Sequence, residues 1–358
     1  MRNTIADRQN PPGFEVSKAK LLGLVLSCFT FVIAAPLRAQ DDWERTLYEK
    51  AKQEGEITWY SAQINQQLSD AVGAAFTAKY SGVKVNVVRS TSSVAYNRLQ
   101  QDFQAGSSQA DVFSSSNPGH LVTLQQEKKL EQYTPPNKVE LLAKFRDSNS
   151  YFHTTYAAIV IIAYNKSKVK EAEAPRSWAE LLKPEWAGKI GTGHPGFSGE
   201  VAVWCVQMNK LLGGDFFQKF ARNKALTGRS IYDTETMLNS GERVVAVSDL
   251  SFTLQSASKG NPLGVIYPEE GAVLVIGPSG IVKGARHESA AKLFLNFLMS
   301  QEAGKITSAQ FELPLRADVT PPPGAKPVSE IKTILVPADE TATGTPLVTE
   351  KWRDAFGS

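Results

Sequence analysis

The strongest constraint on this chain is a repeated exchange of two hydrophobic periods between residues 56 and 113. Glu56-Ile57-Thr58-Trp59-Tyr60 has the β-branched and aromatic content of a strand. Gly55 separates it from a helical stretch, Asp42 to Glu54, with Trp43, Leu47 and Ala51 four residues apart. A helix is predicted over 66–80, with Leu68, Val72, Ala75 and Phe76 on one face, and Ser81-Gly82 ends it before a second strand over 83–88. A helix over 92–105 and the short strand Asp111-Val112-Phe113 repeat the cycle. Strands alternating with helices of this length specify parallel α/β units.

The middle of the chain differs. Residues 157–164 read AAIVIIAY, a continuous apolar strand suited to a core buried on both faces or to a crossing between two lobes. A helical segment is expected from Pro175 and Ser177-Trp178, then a strand at Lys189-Ile190, helices over 199–212 and 214–223, and buried strands at 244–247 and 272–276. An amphipathic helix spans 287–300, and a proline-rich tail from Pro321 leads to a helical piece near Trp352. At ~100–200 residues per domain, 358 residues suggest two globular units, and a 42% hydrophobic, 21% charged composition argues against disorder.

Leu21 to Ala35 is an uncharged apolar run that follows Lys18 and Lys20 and leads to Pro36-Leu37-Arg38-Ala39. This is the order of a secretory signal peptide, residues 1–39, with cleavage expected after Ala39 and a periplasmic destination. The run is shorter than the ~20 residues that span a bilayer, so an anchor helix is the lesser reading. Lipidation at Cys28 is disfavoured because the apolar run continues past it. Residues 1–39 hold five basic and two acidic side chains, so the net charge of +3 resides there and the body is neutral. A neutral body gives no electrostatic footprint for nucleic acid. Cys205, alone in the mature chain and inside Val201–Val206, is expected to be a buried, inert thiol.

Two catalytic motifs are approached and missed. Gly191-Thr192-Gly193-His194-Pro195-Gly196 matches G-x-G-x-x-G, but Pro195 removes a backbone donor where a dinucleotide site needs one. Gly196-Phe197-Ser198-Gly199-Glu200 carries Glu200 where the serine-hydrolase elbow has its second glycine. None of His120, His153, His194 and His287 stands in a local triad or metal signature, so no catalytic residue, cofactor or metal site is assigned. A secreted serine hydrolase using Ser198 remains the rival from another class.

Four junctions carry small hydroxyl or amide side chains where a strand gives way to a helix: Ser61-Ala62-Gln63, Ser90-Thr91-Ser92-Ser93, Ser114-Ser115-Ser116-Asn117 and Ser198-Gly199. In parallel α/β sheets ligands collect at the carboxyl ends of strands, where first-turn N–H groups favour anions. Plain N-capping uses the same residues and is the better reading of any one junction taken alone. Four together point to a polar, donor-rich cleft.

With these junctions placed, the sequence resembles the periplasmic substrate-binding proteins of ABC importers (extracellular solute-binding proteins). It is most similar to the branch containing ferric-iron-binding proteins, which has the type 2 periplasmic binding fold. The resemblance rests on residues 55–62, 76–85, Ala110-Asp111-Val112-Phe113, Tyr164-Asn165, Pro175-Arg176-Ser177-Trp178, residues 184–190, Ser198-Gly199 and Ser240-Gly241-Glu242. It implies an α/β protein of two lobes, each a mixed sheet flanked by helices, with residues 40–156 plus 270–315 in one and 157–269 plus 316–358 in the other. It also implies a non-enzymatic, monomeric receptor that traps a solute between the lobes and delivers it to a membrane permease driven by an ATPase.

The family's ferric-iron ligands fall on Ile64, Ser116, Ser251 and Phe252. A hard cation needs anionic oxygen, which none of these supplies, so iron or a ferric chelate is the alternative rather than the main expectation. Hydroxyls at Ser116 and Ser251, with Ser90, Thr91, Ser92, Ser198 and Gly199 at the resemblance's anion-holding places and Ser61 and Ser115 beside them, suit a small anion of carboxylate, phosphate or phosphonate type. Tyr60, Tyr232 and Phe252 would cover its apolar part. Asp233 and Asp249 would accept from an amine or hydroxyl, or else cap helices. Arg89 is either a counter-charge or a solvated strand-end arginine.

Overall fold

Ten strands of this chain join one mixed sheet, ordered β2-β1-β3-β9-β4-β7-β5-β6, with β10 added to β9 and β8 to β4. The computed structural model describes residues 34–106, 108–148 and 150–357, with side chains from Asp42 onward. The apolar run of the expected signal peptide and Cys28 lie outside the described residues, apart from the run's last two residues. Helix α1 spans Ala34–Glu54, and Thr46–Ser358 forms one compact unit. All later elements belong to that unit.

The opening cycle takes the predicted form. Strand β1 (Glu56–Ala62) pairs in parallel with β2 (Lys84–Arg89) and β3 (Val112–Ser115). Between them run α2 (Gln66–Lys79), capped by the Asn65 side chain, and α3 (Ser92–Gln104). Helix α4 (Pro118–Gln126) starts on Asn117, whose side chain accepts from Gly119 N–H. Its Pro118-Gly119 start reads as a turn in sequence, yet proline is tolerated at a first helical position.

Strand β4 (Phe152–Asn165) explains the apolar run. Its first part pairs antiparallel with β9 (Ala272–Ile281), its last part with β7 (Val245–Asp249) and β8 (Leu263–Ile266). A strand in mid-sheet with helices on both faces has no solvent side, so alternation vanishes. Strand β9 outruns its predicted end because Gly277-Pro278 is accommodated by an irregularity in β4 between Thr154 and Tyr156.

Beyond β4 lie β5 (Ile190–Thr192), α5 (Gly199–Leu212), α6 (Phe216–Arg222), β6 (Leu226–Thr227), α7 (Asp233–Ser240) and α8 (Leu250–Ser258). The helical segment expected from Pro175 shrinks to a 3-10 turn, Ala179–Leu182, because Pro184 follows at once. Helices α9 (Glu288–Leu298) and α10 (Gln301–Ala309) divide at Ser300, whose hydroxyl caps α10. Strand β10 (Thr333–Leu335) and α11 (Ala338–Phe356) complete the chain.

Two aromatic clusters anchor this frame. Trp59, Phe76, Phe294 and Phe297 interlock beneath β1 at centroid distances of 5.1–5.5 Å. Trp352 of α11 packs on Phe217, Phe220 and Phe356, seating the last helix against α6. Cys205 is buried, as expected, with its thiol pushed up by burial.

Tyr164 and Gly264 stand opposite each other on β4 and β8, and a Cβ on Gly264 would lie 2.3 Å from the Tyr164 ring. Gly264→Ala should therefore cost about 1–3 kcal/mol of stability through overpacking, read as a lower urea midpoint. An unchanged midpoint would show that the ring is free to move aside.

Candidate functional site

A narrow cleft forms where β1, β2 and β3 end and α5 begins. It is lined by Ala62, Arg89, Thr91, Ser92, Ser116, Ser198, Gly199, Glu200, Ser230 and Tyr232. All four junctions thus contribute to one place, the first through Ala62, although they come from distant parts of the sequence.

The hydroxyls are ordered. Ser92 Oγ donates to the Ala62 carbonyl at 2.9 Å and lies 2.8 Å from Ser116 Oγ. Since Ser92 has one proton and gives it to the carbonyl, the Ser116 proton goes either to Ser92 or to a guest in the cleft. Thr91 occupies the N-cap position of α3 without bonding its first turn, and its buried Oγ1 has no partner. Ser198 occupies the N-cap position of α5, again without a side-chain cap bond. Both helices exceed twelve residues, so their first-turn N–H groups and dipoles bring positive potential to the cleft from two sides.

The two sides touch. A Cβ on Gly199 would lie 2.6 Å from Asn117 N and 2.7 Å from Ser116 Oγ, and Ser93 N–H approaches the Phe197 carbonyl at 3.5 Å. No side chain fits at Gly199 while this contact stands. Arg89 adds a cation: its Nε donates to the Ile64 carbonyl at 3.0 Å, and its guanidinium lies 5.6 Å from the Tyr232 ring. It is therefore fixed at the cleft wall rather than solvated. Tyr232 also packs against Phe252 at 4.0 Å between ring centroids, so that predicted pair forms one aromatic wall.

Other predicted residues serve the frame. Ser61 Oγ pairs with Ser69 Oγ of α2, and Ser115 Oγ pairs with His120 Nδ1 while accepting from Asn117 N–H. Ser90 bonds through its backbone N–H to the Ser61 carbonyl and does not line the cleft. Tyr60 gives its hydroxyl to Asp102 of α3, and burial pushes it up to about 12. Asp233 accepts from Ser230 N–H and closes the turn before α7. Ser198 bonds through its N–H to the His194 carbonyl, and His194 Nδ1 accepts from Gly196 N–H, an arrangement of a turn rather than a nucleophile and base.

Of the acidic residues behind the cleft, sequence reasoning singled out Asp249 and passed over Glu200 and Glu312. Glu200, Asp249 and Glu312 are 2%, 1% and 2% exposed. Glu312 accepts from Ser251 Oγ at 2.9 Å, which gives Ser251 its place. Asp249 caps α8 through Phe252 N–H at 3.2 Å. Burial, then the charges of Asp249 and Glu312, push the Glu200 carboxyl well above its usual range, against a weak bond from Tyr156 Oη and the Arg89 charge. Glu312 is raised for the same reasons, and burial lifts Asp249 to about 6 despite its cap bonds. The signal for Glu200 was a carboxylate opening an otherwise apolar helix, Val201 to Val206. Among the described residues, no group of three or more His, Cys, Asp or Glu is arranged to hold a metal ion.

The raised Asp249 carboxyl has a signed consequence for stability. Its folded value lies above its unfolded one, so its stabilising contribution is complete below pH ~4 and is lost as pH rises through about 6. Asp249→Asn keeps the capping oxygen and removes this loss. The variant should therefore gain on the unaltered chain by up to ~1.4 kcal/mol per pH unit between pH ~4 and about 6, and the gap should level off above that, in urea unfolding from pH 4 to 8. A gap independent of pH would contradict the burial assigned to this group.

Comparison with known proteins agrees with this architecture. The sequence model of the bacterial extracellular solute-binding protein family matches residues 107–341. The "Putative 2-aminoethylphosphonate-binding periplasmic protein" of Salmonella typhimurium is 25% identical over 279 residues, covering 75% of this chain and 77% of its own length. Among solved structures, the periplasmic binding protein AfuA from Actinobacillus pleuropneumoniae, with exogenous fructose-6-phosphate bound, superposes with a TM-score of 0.76 at 23% identity, over 85% of this chain and 99% of that one. Iron-bound HitA from Pseudomonas aeruginosa gives 0.73 at 21% identity, over 83% and 99%. The two-lobed fold of these proteins is that of the present chain, and their relatives are binding proteins of ABC transporters rather than enzymes. A cleft of donors without a nucleophile's machinery and a match over most of the sequence lead to one identification: this chain belongs to the bacterial extracellular solute-binding protein family.

Proposed function

We propose that the cleft holds the acid end of a small anionic solute, a phosphate ester or phosphonate before a carboxylate. The observation that carries this reading is the convergence of the α3 and α5 first turns, with Thr91, Ser92, Ser116, Ser198 and Arg89, on one cleft. A tetrahedral oxyanion offers acceptor atoms in several directions and so matches donors arriving from two sides. The Salmonella relative's name refers to a phosphonate, and AfuA was solved with a phosphate ester, which supports the same acid type. The ferric reading has less support: Ile64, Ser116, Ser251 and Phe252 stand at the family's ligand places and supply no anionic oxygen.

As a solute-binding protein of an ABC importer, the chain delivers its solute to a membrane permease. In our reading a signal peptide over residues 1–39 directs it to the periplasm, where it works as a monomer with a permease powered by an ATPase. Residues 40–156 with 270–315 would form one lobe and 157–269 with 316–358 the other, with β4 and β9 as the strands between them. Hinge closure about these strands would bring Ser116 and Asn117 onto Gly199. Ser61, Ser90, Ser115 and Asp233 would position the lining, and Tyr232 and Phe252 would cover the solute's apolar part.

A thermal-shift panel of phosphate esters, phosphonates and carboxylates tests this directly. A true ligand at one hundred times its dissociation constant should stabilise the protein by about 2.7 kcal/mol, and no response to any anion would overturn the reading. Gly199→Ala should lower the affinity for the responding anion at least tenfold, because a methyl group there holds the two sides apart. Unchanged affinity would mean that the contact at Gly199 is not part of the bound state.

A further inference from the structure

The floor of the cleft has the opposite character from its donor-rich wall. Glu200 lines the same space as Ser116, Ser198 and Tyr232, yet its Oε2 is buried with no hydrogen-bond partner. Its other oxygen receives only a long bond from Tyr156 Oη, 3.4 Å. Asp249 spends Oδ1 on the cap of α8 and leaves Oδ2 buried without a partner. The largest charge interaction felt by Glu200 is with Asp249, followed by Glu312, so the three carboxyls share one electrostatic neighbourhood. The groups facing it are Tyr156 from β4, Tyr232 before α7, Ser251 from α8 and one cation, Arg89 from β2.

This arrangement is costly as it stands. A buried carboxyl oxygen with no donor forfeits the hydrogen bonds that water gave it, and without a cation nearby burial drives the group toward its neutral form. A frame that needed only apolar filling would carry leucine or methionine here. A carboxylate beside a bound oxyanion would also repel it, unless something positive lay between them. An ammonium group satisfies every term: it has three N–H donors and no acceptor, it matches two vacant carboxyl oxygens, and it shields the anion from them.

We propose that Glu200 Oε2 and Asp249 Oδ2 form a subsite for a protonated amino group, so that the solute is a zwitterion whose acid end lies at Ser92, Ser116 and the α5 first turn. The proposal rests on the anion reading above and adds the second end. Glu312, tied to Ser251, is a positioning residue that keeps the neighbourhood negative. The rival occupant is a solute hydroxyl, to which a protonated Glu200 would donate.

Titration calorimetry on the full chain separates these cases. The probes are 2-aminoethylphosphonate, 2-hydroxyethylphosphonate and ethylphosphonate, with β-alanine and propionate as the carboxylate pair. The proposal expects an amino compound to bind at least tenfold tighter than its amine-free counterparts in whichever acid series binds. Glu200→Gln keeps the shape and one acceptor oxygen but replaces the other oxygen with an N–H donor and removes the charge, so it should collapse that ratio toward one. If the hydroxyl or plain alkyl compound binds as tightly as the amine, or if Glu200→Gln keeps the ratio, the ammonium subsite is wrong while the anion site stands. If no probe of either series binds, both fall. Should Glu200→Gln fail to fold, the ratio measured on the unaltered chain decides alone.

Discussion

The pairing of β4 with β9 is the interaction on which the rest of this molecule depends. The ladder runs from Phe152 to Val160 and joins the strands of the opening cycle to those that follow. It is long, buried and free of alternation, so its register is held by packing on both faces. Because β3 hangs on β9 and β7 on β4, that register fixes where their carboxyl ends stand. The α4 cap at Asn117 and the first turn of α5 can then meet with no room for a side chain at Gly199.

On this frame the site we propose is an electrostatic sandwich. Helix N-termini, hydroxyls and Arg89 supply one face, and Glu200, Asp249 and Glu312 supply the other, with Tyr156 and Tyr232 between them. Burial drives both tyrosines well above their usual range, so each remains a neutral hydroxyl that can donate to a carboxyl group or accept from a guest. On the two faces Thr91 Oγ1, Glu200 Oε2 and Asp249 Oδ2 are buried without a hydrogen-bond partner. Such deficits are expected of a binding site, where the missing partner arrives with the solute.

Much of the frame was legible because it obeys local periodicity. The strand–helix cycle from Glu56 to Phe113 and the apolar run of β4 took the form their patterns specify. The short helices α4, α7, α8 and α10 were not legible, since eight or nine residues make too few turns to show a stripe. At the site, the serine runs marked the right junctions but not which members face the cleft. Successive side chains on a strand point to opposite faces, so Ser116 enters the cleft while Ser115 turns to His120. The sequence offers no parity marker in a run of identical residues. Glu312 was invisible for another reason: its partners, Ser251 and Tyr156, come from elements that only the sheet brings together.

The most direct measurement is an amide NMR titration of the isotope-labelled full chain with the anion that stabilises it best. If the acid end seats between the two helix starts, the N–H signals of Ser92, Gly199, Glu200 and Val201 should move together with one saturation curve, as first-turn amides gain an acceptor. If those four stay still while signals elsewhere in the sheet or on its outer helices respond, the solute binds somewhere other than this cleft and the account is wrong.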